Sequence, residues 1–303
     1  MATTFTGLSE AQIDDVIIGA IQAMLPYFRA FSTQLDHPEG LVKGNSYIVP
    51  IIGNVTVADK TPGTLATASG GVTGVPVVAD SFKAASFEAV EGVIPARLMA
   101  TWWPEQIREA ALAVAQTCVD ASLGLVTAAN YGSGAGDVVT AALASFDIDT
   151  LGDIRAAAKA KLKNVPGAFL CGPAIASKLV TMQQIVLALA IADDRNSIAD
   201  GQIPGGMLGY DAYEYADFPG NSENLVAAVI GRSAIAVVAG APEQIIVSGQ
   251  GEVAYRRIVE EPDSGLSLQY TEAAFAGGKV VAELGLLFGV EKGQDAVVRL
   301  VTA

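Results

Sequence analysis

The sequence has very few of the side chains that usually carry metal-ion and acid–base chemistry. Its 303 residues include one histidine, His37, and two cysteines, Cys118 and Cys171. A single histidine excludes a histidine-pair metal site and the HExxH helix of zinc proteases. His37 lies in QLDHPEG, a string typical of a surface turn. We therefore predict no catalytic, metal-binding or cofactor-binding residue.

The two cysteines are far apart in the sequence and do not suggest a disulfide framework. We interpret both as small buried apolar residues of a protein in a reducing compartment, since free cysteine is among the most buried residue types. Cys171 also has a second interpretation. It ends a predicted strand before a predicted helix, and such a turn can present a nucleophile. A cytoplasmic enzyme that uses Cys171 or the glycine-rich string GSGAG at 132–136 is therefore a competing hypothesis.

Charged residues are scarce as well. They make up 17% of the chain, whereas apolar residues make up 51%; an average soluble domain has roughly 25% charged residues. This composition fits an obligate oligomer, whose permanent interfaces are poor in charge, and it fits an ordinary alanine-rich globular protein equally well. The formal net charge of −14 disfavours a nucleic-acid reader, which presents a basic patch. It does not exclude a shell whose inner wall faces packed DNA.

Long apolar runs and nucleotide-binding motifs are also missing. No apolar stretch reaches about 18 residues, and the N-terminus has no basic start before an apolar run, so we expect no membrane span and no signal peptide. We expect the protein to be made in the cytoplasm. GSGAG at 132–136 follows a predicted helix rather than a strand, and we interpret it as a helix stop. Trp102 and Trp103 could stack a base or a sugar, but beside a helix start they are better explained as its anchors.

The first hundred residues show a helix followed by an extended arm. The spacing of apolar residues predicts a helix over 8–24, with Ser9 as its N-cap and Pro26 closing it. From 42 to 98, glycine and proline punctuate short β-branched runs, which predicts a long two-stranded arm with its tip near 59–71. An isolated hairpin is marginally stable in water, so the arm must lie on its own chain or on a neighbouring copy.

A long helix and two mixed regions follow. The pattern predicts a helix over 104–129, opening at Pro104 and about 37 Å long. Residues 140–240 alternate between helical and strand patterns and predict an α+β unit, in which Asp149 or Thr150 caps the helix of DIDTLGDIRAAAKAKLKN. The tail, 244–303, predicts antiparallel strands.

The order of these parts resembles the major capsid proteins of tailed bacteriophages. The resemblance covers almost the whole chain from about residue 25 and implies the α+β Hong Kong 97-type capsid fold, with an N-arm, an extended β-hairpin E-loop, a long spine helix, an A domain and a P domain. The strings that carry it are VPIIGNVTVAD, LGLVTAANYGSGA, FDIDTLGDIRAAA, GQIPGGMLGYDAYEYADFP, NSENLVAAVIGRSAIAVV, EEPDSGLSLQYTEAAFAGGKVVAELGLLFGV and AVVRLVTA.

The resemblance also implies how the chain is divided and what it does. Copies would form pentamers and hexamers that tile an icosahedral shell around double-stranded DNA, without sequence-specific binding, and each E-loop would lie across a neighbour. The expected parts are an N-terminal arm (1–41), the E-loop (42–98), the spine helix and start of the P domain (99–140), mainly the A domain (141–243), and the β-rich return of the P domain (244–303).

These expectations extend to particular residues, partners and location. We predict inter-subunit contacts at Asp59, Lys60, Thr61 and Pro62. We predict hinges at Gly70, Gly71, Gly132 and Gly134. Further partners that the family allows are separate scaffolding, portal or decoration proteins. The protein would be assembled in the host bacterial cytoplasm and reside in the virion capsid. An encapsulin-like nanocompartment shell is the alternative on the same fold.

Overall fold

A computed structural model of the chain shows helices and strands in alternating groups. It describes residues 8–35, 41–52, 72–90, 96–163, 165–182, 209–243, 252–262, 266–275 and 278–302. The α-helices in these ranges are α1 (Glu10–Phe31), α2 (Ala96–Gly124), α3 (Ala128–Tyr131), α4 (Ile148–Leu162) and α5 (Pro173–Thr181). The strands are β1 (Ser32–Leu35), β2 (Ser46–Ile52), β3 (Val72–Val78), β4 (Ser81–Val90), β5 (Val138–Thr140), β6 (Gly167–Cys171), β7 (Asp211–Glu214), β8 (Leu225–Gly231), β9 (Ile235–Gly240), β10 (Glu252–Glu260), β11 (Ser267–Phe275), β12 (Lys279–Lys292) and β13 (Val297–Val301).

The described strands form three sheets. A six-stranded sheet has the order β1-β9-β12-β11-β10, with β4 also paired to β12; a five-stranded sheet has the order β5-β13-β8-β6-β7; and β2 pairs with β3 alone. The long strand β12 has two neighbours on one edge, because its first part pairs with β11 and its last part with β9, while β4 pairs along the opposite edge. The last strand, β13, leaves the predicted antiparallel tail and lies between β5 and β8.

Helix α1 is longer than the sequence predicts. Ser9 caps it as expected: the Gln12 N–H donates to the Ser9 hydroxyl at 3.3 Å, and the Ser9 N–H donates to the Gln12 side chain at 2.9 Å. The prediction that Pro26 closes the helix is wrong, since α1 continues to Phe31. A proline inside a helix removes one backbone donor and crowds the carbonyl four residues earlier, at a cost of about 3 kcal/mol. Burial of the apolar row of α1 against the rest of the core offsets this cost.

The long helix α2 has both boundaries shifted toward the N-terminus. It begins at Ala96, so Pro104 lies inside it rather than at its first turn. The buried Trp103 packs edge-to-face on Phe87 at 4.8 Å and holds the turn that precedes the proline. The helix ends at Gly124 rather than at residue 129. Its 29 residues correspond to about 43 Å.

One further local prediction needs correction, and two are confirmed. The N-cap of α4 is Asp147, not Asp149 or Thr150, and its carboxylate accepts the Thr150 N–H at 2.9 Å. By contrast, the predicted strand that ends at Cys171 and the predicted helix that follows it are confirmed as β6 and α5, and α5 opens at Pro173.

The extended arm divides into two parts. Strands β2 and β3 form the predicted antiparallel pair, with Ser46 opposite Val78 and Ile52 opposite Val72. Strand β4 leaves this pair and joins the six-stranded sheet through β12. Ala79 and Asp80, between β3 and β4, are therefore the point where the chain leaves the arm and returns to the body of the molecule.

Candidate inter-subunit surface

The β2–β3 hairpin has one buried face and one open face. Its register pairs Tyr47 with Val77 and Val49 with Val75. Because side chains alternate between the two faces of a strand, Val49, Ile51 and Val77 share one face, and all three are buried. The residues between them share the opposite face.

The inner face of the hairpin packs on the six-stranded sheet of the same chain. Two backbone hydrogen bonds close the root: the Gly44 N–H donates to the Ala79 carbonyl at 2.8 Å, and the Ala79 N–H donates to the Asn45 carbonyl at 3.0 Å. The hairpin is thereby rooted on its own body. The buried apolar cluster beneath it consists of Leu41, Val49, Ile51, Val77, Ala79, Ala236, Val238 and Leu287.

Two glycines of the body leave room for the root. A Cβ on Gly289 would collide with the backbone carbonyl of Val78, and a Cβ on Gly293 would meet the Ser233 carbonyl and the Ile51 side chain. Gly289 therefore allows the backbones of the body and the hairpin to lie in direct contact, and Gly293 leaves room for the Ile51 side chain.

Replacing Gly289 by valine should displace the hairpin root. The obstacle is backbone rather than a flexible side chain, so we expect a loss of about 1–3 kcal/mol in the free energy of unfolding, as for an overpacked core, and faster proteolysis within 42–90. Urea denaturation and limited proteolysis measure these effects. Gly136→Val is the control, because a Cβ at Gly136 meets nothing within 4 Å. Equal stability of the two variants would contradict the close packing of the root.

The outer face of the hairpin is apolar and open to solvent. Ile48 is 67% exposed, Val72 64% and Val78 47%, and Pro50 and Pro76 beside them are also exposed. Among the described residues, six large apolar side chains are exposed, and three of them lie on this one face. Contiguous exposed apolar surface marks an interaction site. We call the face formed by Ile48, Pro50, Val72, Pro76 and Val78 the outer face.

Several predicted site residues lie outside the described residues. These are the predicted contact residues Asp59, Lys60, Thr61 and Pro62, the predicted hinge residues Gly70 and Gly71, and His37. The strands that lead toward the predicted tip are described, and they carry the outer face, which sequence reasoning missed. The only sequence signal for it was the apolar residues at alternate positions of both strands, Ile48 and Pro50 in one and Pro76 and Val78 in the other.

The other predicted hinge, at Gly132 and Gly134, lies in a hydrogen-bonded loop. Gly132 ends α3 with φ +83°, so GSGAG follows and stops a helix as predicted, but this helix is the four-residue α3 and not the long helix, which ends at Gly124. The Gly134 N–H donates to the Asp137 carboxylate at 3.0 Å. Lys161 of α4 pairs with the same carboxylate and with Asp295, at 2.8 Å from the latter. The Lys161 hydrogen bond lowers the pKa of Asp137, so this carboxylate is held in its charged form. Hinge motion at the two glycines stays a prediction.

A buried arginine joins this loop to the five-stranded sheet. The Arg299 side chain is 2% exposed, pairs with Glu223 and donates to the Gly132 carbonyl. The other oxygen of Glu223 accepts the Ala128 N–H at 2.7 Å. The last strand, β13, is thus fixed to the segment that follows the long helix. No sequence pattern predicts this network, because Arg299 lies 76 positions from Glu223 and 167 from Gly132.

The end of α2 is held in the same way. The Asn221 side-chain amide donates to the carbonyls of Leu123 at 3.0 Å and Val126 at 2.7 Å. Leu123 lies in the last turn of α2, where carbonyls lack an i+4 donor within the helix, and Val126 follows the helix end. Tyr215 donates to Asp120, one turn earlier on α2. A loop of the five-stranded sheet therefore positions the C-terminal end of the long helix.

The two thiols are buried, as the sequence predicts. Burial, together with the negative charge of Glu214, raises the pKa of Cys171 to about 12, and burial alone raises the pKa of Cys118. A nucleophilic cysteine needs a lowered pKa and access to solvent, so this arrangement disfavours the hypothesis of an enzyme based on Cys171.

Thiol labelling tests this interpretation. Because the pKa of Cys171 is raised, the thiol stays protonated far above pH 8, and we expect no reaction of the folded protein with an aromatic disulfide reagent at that pH. Two thiols per chain should react after unfolding in urea. Rapid labelling of the folded protein at pH 8 would restore Cys171 as a candidate nucleophile.

Other candidate chemistry is also accounted for. Trp103 is fully buried and its indole N–H donates to the Tyr270 hydroxyl at 3.0 Å, so it anchors the long helix rather than stacking a ligand. Across the described ranges, no group of three or more His, Cys, Asp or Glu side chains is placed to hold a metal ion. None of the helices in those ranges is long and apolar enough to cross a membrane.

Sequence comparisons give no relative. No model of a known protein family matches the chain, and no curated protein matches it significantly.

Solved structures, in contrast, match most of the chain. The capsid of Ralstonia phage GP4 aligns with a TM-score of 0.53 and 10% identity, over 90% of this chain and 88% of that chain. The mature capsid of bacteriophage PhiM1 aligns with a TM-score of 0.51 and 14% identity, over 91% and 86%. A virus-like particle from Pyrococcus furiosus aligns with a TM-score of 0.50 and 11% identity, over 96% and 98%. The predicted α+β capsid fold is therefore confirmed.

Proposed function

We propose that this chain is a major capsid protein, which assembles with copies of itself into the icosahedral head of a tailed double-stranded DNA phage. The observation that carries the proposal is the rooted hairpin with an open apolar outer face. Ile48, Val72 and Val78 do not stabilise the single chain while they face solvent. Contact with a neighbouring copy would bury them and stabilise the assembly by roughly 25 cal/mol per Å² of apolar surface. The fold shared with phage capsids supports the same role.

The proposal assigns parts to the remaining predicted residues. The hairpin would carry the contact residues Asp59, Lys60, Thr61 and Pro62 onto a neighbour within or between pentamers and hexamers. Many modest contacts around a closed shell add to a stable whole, because each subunit is held by several neighbours at once. The protein would act structurally rather than as an enzyme, be assembled in the host cytoplasm and reside in the virion. Scaffolding, portal or decoration proteins and packaged DNA would be its other partners.

The predicted hinges give a further expected result. Replacing Gly70 and Gly71 by proline should block assembly or expansion of the shell, since proline fixes φ and would prevent bending where the arm returns. Electron microscopy of particles from this variant, compared with Gly136→Pro as the control, measures the effect. Unchanged particles from the Gly70/Gly71 variant would count against a hinge there.

An encapsulin-like shell is the second candidate. The similarity to the virus-like particle from Pyrococcus furiosus favours it, but phage capsids, among them those of PhiM1, the cyanophage P-SCSP1u and GP4, are the more frequent structural matches. Negative-stain microscopy of the purified chain tests both functions, and closed shells are expected. Particles isolated from the native source should contain long double-stranded DNA if the first proposal holds and an enzyme cargo if the second does. A soluble monomer under all conditions would contradict both.

A further inference from the structure

A cleft of about 570 Å³ lies at the C-terminal end of α4. Its walls come from α4, from the start of β6 and from the start of β7, so it lies at one end of the five-stranded sheet. The residues lining it are Lys159, Lys163, Val165, Pro166, Gly167, Gly209, Tyr210 and Asp211. It is remote in the fold from the β2–β3 hairpin, which packs on the other sheet.

Three exposed cations lie in the second half of α4 and at its C-terminal end, near this cleft. Arg155 and Lys159 are four residues apart and share one face of the helix, whereas Lys163 is the C-cap residue, with φ +54°. Within the described part of the chain, none of the three forms an ion pair, whereas Lys161 of α4 pairs with two aspartates. The chain has 32 acidic residues for 18 basic ones, so unpaired cations gathered near one helix end need an explanation.

A residue that lines the cleft also has a buried hydroxyl group without a partner among the described residues. Tyr210 is 6% exposed, and no group of the described ranges forms a hydrogen bond with its buried phenolic oxygen. The Lys159 ammonium lies 4.8 Å from the centre of its ring. A buried polar group without a partner is unfavourable by itself, and a ligand that accepts a hydrogen bond would satisfy it. The lining sets two ammonium groups and a hydroxyl donor against one carboxylate, that of Asp211, and this excess of donors suits a carboxylate or another oxyanion.

The helix end alone does not explain this arrangement. Lysines near a helix C-terminus interact favourably with the helix dipole within the last turn, and this accounts for Lys159 and Lys163. It accounts neither for Arg155, which lies more than one turn earlier, nor for the unpartnered Tyr210 hydroxyl.

The occupant is best identified from the charge of the chain. Nucleic acid would bring many phosphates to a protein of net charge −14, and three cations offer little compensation for that repulsion. A second copy of the chain presents many carboxylates and faces the same repulsion from its neighbour. A cationic cleft that accepts one of those carboxylates would relieve the repulsion and fix how two copies lie side by side.

We propose that the cleft between α4 and the starts of β6 and β7 binds a carboxylate of a second copy of this chain, with Lys159, Lys163 and the Tyr210 hydroxyl as its donors and Arg155 beside them. This contact is heterologous, because the cleft of one copy meets a different surface of the next, as in a closed ring of subunits. The proposal rests on the proposed shell function and names one of its interfaces.

Charge reversal in the full-length chain tests the proposal. The double variant Lys159→Glu and Lys163→Glu places two carboxylates in the cleft, where they would repel the carboxylate of the second copy. We expect the protein concentration at half-assembly, measured by light scattering, to rise more than about tenfold. The expected result for Tyr210→Phe is a smaller rise of about threefold. The control Lys178→Glu, on α5 beside the same sheet, should stay within about twofold of the wild type. Circular dichroism melting confirms that each variant folds.

The outcomes separate this inference from the proposed function. If the wild type and the folded double variant assemble at the same concentration, the inference is wrong and the shell function stands. If the double variant assembles normally but loses binding to a short DNA duplex in a filter assay, the cleft binds nucleic acid instead and the inference is also wrong. If the wild type forms no shells at any concentration, the proposed function fails and the inference fails with it.

Discussion

Ile48→Asp should raise the protein concentration needed for half-assembly at least about thirtyfold. The Ile48 side chain is 67% exposed in the single chain, so the substitution leaves the monomer core intact. Burial of one such side chain against a neighbour is worth about 2 kcal/mol, which corresponds to about thirtyfold in concentration. A carboxylate at that position adds a desolvation penalty, because the interface would have to bury it without a partner. Static light scattering over a concentration series measures the effect.

Ile258→Asp is the matched control for this variant. Ile258 is also a β-branched residue on a strand and is 48% exposed, but it lies on β10, away from the outer face. We expect the protein concentration needed for half-assembly of Ile258→Asp to stay within about threefold of the wild-type value. Both variants should melt at the wild-type temperature. If Ile48→Asp assembled as readily as the control, the outer face would not be an interface.

Arg299→Met should cost about 3 kcal/mol or more in the free energy of unfolding. The arginine is buried, pairs with Glu223 and donates to the Gly132 carbonyl. Removing one partner of a buried ion pair leaves the other charge without compensation, and the loss is typically about 3–5 kcal/mol. Glu223 keeps some contact with solvent, so the lower end of that range is expected. Urea denaturation followed by circular dichroism gives the value.

Arg108→Met provides the comparison for Arg299→Met. Arg108 pairs with Glu109 at 3.4 Å on an exposed surface, where an ion pair contributes about 0–1 kcal/mol. The loss in the free energy of unfolding for Arg299→Lys should fall between those of Arg299→Met and Arg108→Met. Lysine keeps the charge but cannot donate to Glu223 and the Gly132 carbonyl in the same geometry. Similar stabilities for Arg299→Met and Arg108→Met would contradict the role assigned to the buried network.

Local patterns in the sequence predicted most of the elements. Ser9 and Gln12 mark the start of α1 because a capping box satisfies backbone donors within four residues. Pro173 marks the start of α5 for a similarly local reason. Glycine and proline around the β-branched runs predicted the β2–β3 pair, and Cys118 is buried as expected. In each case the determining contacts lie close together in the chain.

The features that the sequence did not predict depend on distant contacts. Pro104 lies inside α2 because Trp103 and Phe87, which are 16 positions apart, pack around the preceding turn. The role of Gly289 depends on the approach of the Val78 backbone, and that of Arg299 on Glu223 and Gly132. The outer face could not be identified until the inner face was placed on the six-stranded sheet, because alternation gives two faces without indicating which one is buried.

The most direct test is a cryo-electron microscopy map of particles assembled from the purified chain. The map should show a neighbouring subunit covering Ile48, Val72 and Val78, with the β2–β3 root still seated over Gly289 of its own chain. If these three side chains faced solvent in a closed particle, the outer face would have no part in holding the shell together.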